Sequence, residues 1–205
     1  MTKLYASVAF AALMLAVTPA SYADEVDAAH SDIKNFLGKE KASSDDVKAS
    51  LVHAKDTADE VKKEADVSTE AGKAAAEHAD KASEHAQKAE EKLAEGKESK
   101  MDAEAEAAAA HANAVASATA LHDSKLNDNG SLTEAGKAIS DEAKNSSKVA
   151  DEVKGEGDKK TKTTKLKALK QHSHALFAHF TQHVAKHADE MKAKSAAAPA
   201  EKAAE

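Results

Sequence analysis

Along most of this chain the apolar positions recur every three and four residues, and alanine fills the majority of them. Val47, Leu51, Ala54, Ala58, Val61 and Ala65 follow the four-three alternation of a heptad seam. Ala75, Ala79, Ala82, Ala86, Ala89 and Leu93 repeat that alternation. Met101, Ala105, Ala108, Ala112, Val115 and Leu121 mark an inward stripe between about Lys100 and Leu121. Leu132, Ala135, Ile139, Val149 and Val153 mark another. Leu166, Leu169, Leu176, Phe177, Phe180, Val184 and Met191 form the one substantial stripe of large apolar residues. Each is a helical period, and no stretch alternates with the period of two that a strand requires.

The polar residues between these stripes punctuate them. Ser43-Ser44-Asp45-Asp46 offers an N-cap and first-turn acids. Ser68-Thr69-Glu70 opens a third helix after the short one between Asp24 and Lys41, and Gly96 suits its C-terminal cap. Asn127-Asp128-Asn129-Gly130 is a turn, and Ser131-Leu132-Thr133-Glu134 has the form of a capping box. Gly155-Glu156-Gly157 interrupts the chain before a lysine-rich lead-in, Lys159 to Lys170. The expected fold is all-α, with four or five principal helices and antiparallel neighbours. They form either one helical bundle or elongated helical hairpins with alanine-rich seams.

Composition changes this picture at the two ends. A short basic start with Lys3, an apolar run from Ala6 to Val17 and a small-residue exit up to Ala23 read as a secretory signal peptide over residues 1–23. Residues 24–195 are then the helical domain, and Ala196 to Glu205, with Pro199, reads as a disordered tail. The run is too short to span a bilayer, so the expected location is the periplasm, or outside the cell. Alanine, lysine and glutamate favour helix, but a core this thin requires the helices to support one another, within one chain or by self-association.

The chain of 205 residues has a formal net charge of −7, and all its positive charge is lysine. An acidic chain without arginine or tryptophan lacks the forks and stacking faces that read nucleic acid. The absence of cysteine excludes disulfides, thiolate metal sites and iron–sulfur clusters. No nucleophile–base set or phosphate loop marks an enzyme.

The remaining chemistry is imidazole. Five of the 11 histidines, His172, His174, His179, His183 and His187, lie between Leu166 and Met191. At about 100° per residue, all but His174 fall within about 80° of one another. Residues 75–88 repeat a heptad, Ala-Ala-Glu-His-Ala-Asp-Lys then Ala-Ser-Glu-His-Ala-Gln-Lys, which sets His78 and His85 on one face. His-Ala steps recur at His53 and His111. Imidazoles one or two turns apart suit Cu(II), Ni(II) or Zn(II). The candidate ligands are His172, His179, His183 and His187, with His78 and His85 secondary.

These Glu-His-Ala-x-Lys heptads, together with the export signal and the acidic Ala/Lys/His-rich helices, resemble the periplasmic small metal-binding proteins, which are His-repeat helical bundles. The likeness is carried by residues 74–95 and more loosely by 166–190. It implies scavenging or buffering of divalent transition metals, copper especially, without catalysis. The alternative expectation is a stress-protective or envelope-associated amphipathic helical protein that binds no metal. The lysine-rich segment from Lys159 to Lys170 is read as a solvated face, with contact to anionic lipid or another polyanion as its alternative.

Overall fold

The computed structural model describes the backbone of residues 23–188 and the side chains of residues 31–188. The expected signal peptide, the expected tail and Met191 lie outside the described residues. Among the described residues six helices follow one another: α1 (Ala23–Gly38), α2 (Ser44–Glu64), α3 (Glu70–Glu95), α4 (Lys100–Leu126), α5 (Glu134–Gly155) and α6 (Lys159–Lys186). No strand occurs among the described residues, and no described helix is long and apolar enough to cross a membrane.

Short polar residues start the helices. The Ser43 hydroxyl accepts from the Asp46 amide at 3.0 Å, and the Asp46 carboxylate returns a bond to the Ser43 amide at 2.7 Å. The hexapeptide Thr-Glu-Ala-Gly-Lys-Ala opens both α3, at residues 69–74, and α5, at residues 133–138. In each copy the threonine hydroxyl caps the glycine amide, Thr69 to Gly72 at 3.0 Å and Thr133 to Gly136 at 2.9 Å. The cap of α5 is thus Thr133, two residues later than a box headed by Ser131. Asp158 caps α6 by accepting from the Thr161 amide at 2.8 Å. The lysine-rich lead-in is consequently the first three turns of the His-rich helix, which makes it 28 residues long.

Side-chain pairs fix the directions of the helices. His78 meets Asn113 and His85 meets Glu106, so α3 and α4 run antiparallel. His78 also meets Ser140 and His85 meets Ser147, so α3 and α5 run parallel. Lys170 meets Glu104 and His183 meets Asp123, so α4 and α6 run parallel. Lys55–Glu90 and Lys62–Asp80 hold α2 antiparallel to α3.

At the centre of this single bundle is α4. Every residue from Ala103 to Asp123 is buried, on all faces and not only along the expected stripe. The reason is size. Alanine at Ala105, Ala107, Ala108, Ala109, Ala110, Ala112, Ala114, Ala116, Ala118 and Ala120 leaves so slim a cylinder that α2, α3, α5 and α6 all pack against it. The bulk of the core comes instead from the outer helices, through Phe36, Leu51, Leu169 and Phe180. The seams at Val47–Val61 and Ala75–Ala89 are buried as their spacing requires. A seam this close has no room to grow. Replacing the fully buried Ala82 by leucine is expected to destabilise the protein by about 1–3 kcal/mol, read from the midpoint of urea unfolding.

Candidate metal-binding site

Because α4 is surrounded, its buried Glu104, Glu106 and Asn113 find partners on neighbouring helices. Near its start, Glu104 accepts from Lys170, and Glu106 accepts from His85 Nδ1 at 2.6 Å and pairs with Lys154. Burial alone would raise the Glu106 carboxyl, but His85 and Lys154 outweigh it and hold it below the ordinary glutamate range. In the middle, the Asn113 amide nitrogen donates to the Ala109 carbonyl and to Ser147 Oγ, both at 2.9 Å. Its oxygen therefore faces His78 and accepts from Nδ1–H at 2.9 Å. His78 Nε2 is left to accept from the Ser140 hydroxyl at 2.7 Å. His85 Nε2 lies 3.0 Å from Ser147 Oγ. Both nitrogens of His78 and of His85 are thus engaged by protein groups, and the two rings align α3, α4 and α5.

The end of α4 is different. His122 is 1% exposed, and neither ring nitrogen has a hydrogen-bond partner. Its ring lies 5.2 Å from that of His183 and 6.1 Å from that of His187, centroid to centroid, and His183 and His187 are 5.1 Å apart. Burial, then the neighbouring His183, lowers the His122 pKa to about 4, so the ring is neutral at neutral pH and one of its nitrogens carries a lone pair.

Asp123 stands beside this cluster, fully buried. Its Oδ1 accepts from His183 Nε2 at 2.7 Å, and its Oδ2 accepts from the Thr133 amide and hydroxyl, both at 2.8 Å. A cleft of about 420 Å³ between α5 and α6 reaches His183 and is also bordered by Glu142, His179 and Lys186.

Of the sequence-derived candidates, the fold brings His183 and His187 together. His172 pairs instead with Glu142 of α5 at 2.7 Å, and His179 is exposed on the cleft rim. His78 and His85 sit on the α3–α4–α5 interface. The third member of the cluster, His122, escapes a reading of α6 alone because it comes from another helix. Its signal was present: His122-Asp123 is an adjacent polar pair near the end of a helix in which alanine is the commonest residue.

The spacing of the three rings can be compared with a metal site. With metal–nitrogen bonds of about 2.0–2.1 Å, two imidazoles sharing a tetrahedral ion have centroids about 5 Å apart. The 5.1 and 5.2 Å separations match this and the 6.1 Å separation is longer. Ring orientation does not match, since the rings of His122 and His183 meet edge to face at 79°. In keeping with that, among the described residues no three His, Cys, Asp or Glu side chains are placed to hold a metal ion as they stand. No protein-family model matches the chain, and neither a curated protein nor a solved structure matches it.

Proposed function

We propose that this protein is an exported, non-enzymatic helical bundle that binds a divalent transition metal, Cu(II), Ni(II) or Zn(II), for buffering or scavenging. The ligands in this reading are His122, His183 and His187, which gather from α4 and α6. One observation carries it: three imidazoles already stand near metal-sharing separations, and the most buried of them, His122, has no partner on either nitrogen. An unpartnered buried polar group costs about 1–3 kcal/mol, a cost that a bound ion would remove. Rotation of the rings about their side-chain torsions brings the lone pairs inward, and for His122 that rotation breaks no hydrogen bond. An all-nitrogen set without thiolate suits the borderline ions. The cleft between α5 and α6 supplies an entry path, and nothing in the reading requires a reacting substrate.

Titration calorimetry at pH 7.5 with each ion tests this. The expected result is one site with a dissociation constant on the order of 1 μM or tighter, weakened at least tenfold by His122→Phe, which keeps a ring but removes both nitrogens. Affinity should fall at pH 5.5 as protons compete for the imidazoles. Millimolar binding only, or full affinity in His122→Phe, would reject the site. A gain of helix on anionic vesicles with no metal response would favour the membrane-associated alternative.

A further inference from the structure

The first helix is held on the bundle by few side chains, and one of its contacts is chemically unusual. α1 packs on α2 and α6, and its large buried side chains among the described residues are Ile33, Phe36 and Leu37. Phe36 is fully buried and reaches α4, where its ring lies 5.9 Å from that of His111, centroid to centroid. His111 is 3% exposed, and its Nε2 has no hydrogen-bond partner. Phe36 thus plugs the bundle over an imidazole. His53 of α2, when charged, repels a proton on that ring. His53 itself faces Asp56 on its own helix and lies 3.3 Å from the Asp32 carboxylate of α1. From α6, Lys170 lies over the other contact of Phe36, 4.8 Å from the ring centre, and is committed to Glu104 of α4 and to the Lys39 carbonyl. Among the described residues no carboxylate offsets a charge on His111.

We propose that α1 is an acid-released lid: a proton on His111 expels Phe36, and α1 swings away with its Ile33–Phe36–Leu37 face exposed while the other five helices stay packed. A hinge is built in. Residues Gly38 to Lys41 are exposed, and nothing crowds Gly38. The Ser43–Asp46 capping box fixes the first turn of α2 independently of what precedes it. A terminal helix with three large buried side chains belongs to the least stable part of a fold and opens before the whole. Burial, then His53, lowers the His111 pKa to about 3, whereas a ring in water titrates near 6.5. Between those values the proton binds only the open form. Opening is therefore insensitive to pH above about 6.5 and grows about tenfold for each pH unit below it. The Asp32–His53 pair opposes release, but Asp32 is 44% exposed and the pair is screened by water. None of the proposed metal ligands takes part.

Amide hydrogen exchange of the full protein at pH 7.5 and 4.5, with rates corrected for the intrinsic effect of pH, tests the lid. Amides from Ile33 to Leu37 should lose protection about 100-fold between the two pH values. They should also stay less protected than the amides of α3 at both, which marks opening of α1 alone. His111→Leu, which cannot take up the proton, should abolish this response of α1 while its circular dichroism remains that of the parent. Phe36→Ala, which removes the plug, should lower the protection of α1 already at pH 7.5 and blunt the further loss on acidification. Equal responses of α1 to pH in the parent and in His111→Leu overturn the lid. So do α1 amides as well protected as those of α3 at pH 4.5, because α1 would then open only when the whole bundle unfolds.

Discussion

Replacing Lys170 by methionine is expected to cost about 3–5 kcal/mol of stability, the largest loss anticipated from any single change outside the core apolar residues. Lys170 is 3% exposed and Glu104 is 4% exposed. The ammonium donates to Glu104 at 3.0 Å and to the Lys39 carbonyl at 2.6 Å, and it lies 4.8 Å from the centre of the Phe36 ring. One group thereby joins α4, α6 and the end of α1. Methionine keeps most of the aliphatic stem, so what it removes is charge, and Glu104 is left buried without its counter-ion. Glu104→Leu should cost a comparable amount for the converse reason. The double variant Glu104→Leu/Lys170→Met should recover most of the loss, because an apolar pair of similar volume needs no desolvation of charge. Urea unfolding of the two single variants and the double variant gives the coupling energy directly. Single variants that each cost under about 1 kcal/mol would show that water reaches the pair.

Acid should unfold this protein through its histidines before its carboxylates titrate. Burial, then the charge on His53, lowers the His111 pKa to about 3, and burial with His183 lowers that of His122 to about 4. In the unfolded chain both rings take up a proton near pH 6.5. Between that pH and the folded-state values only the unfolded state binds these protons. Stability is therefore intact above about pH 6.5 and falls as pH decreases, by about 1.4 kcal/mol per pH unit for each ring. At pH 4.5 each ring accounts for a loss of about 2–3 kcal/mol, a large share of the stability of an ordinary domain. His111→Leu separates this from the carboxylate contribution. At pH 7 it should be neutral or stabilising by about 1 kcal/mol, since His111 Nε2 is buried without a partner. At pH 4.5 it should exceed the parent by a further 2–3 kcal/mol or so. Equal pH slopes for parent and variant, in urea unfolding from pH 7.5 to 4.5, would contradict it.

Heptad spacing foretold which faces of α2 and α3 are buried, and the apolar stripe from Leu166 to Val184 foretold that of α6. Alanine was the obstacle in α4. A helix with small residues on every face has no direction in its pattern, and only the assembled bundle reveals that all its faces are covered. The histidines were legible as a group but not by role. His78 and His85 share a face, as their seven-residue spacing requires, yet that face meets Asn113, Glu106, Ser140 and Ser147. A repeat seen on one helix carries no information about the residues opposite. For the same reason His183 and His187 were found on α6, while His122 and Asp123, contributed by α4, became visible only when the two helices were side by side.

The arrangement separates two uses of imidazole in one bundle. Rings bonded at both nitrogens, at His78 and His85, set the register of seams that alanine alone leaves poorly specified. At the far end of α4, His122 has no hydrogen-bond partner on either ring nitrogen. The most direct measurement of that division is anomalous diffraction at the zinc edge from crystals grown with one equivalent of Zn(II). The account predicts a single strong peak enclosed by His122, His183 and His187, with nitrogens at about 2.0–2.1 Å. A peak at His172 and Glu142, a peak beside His78 or His85, or no ordered peak would contradict it.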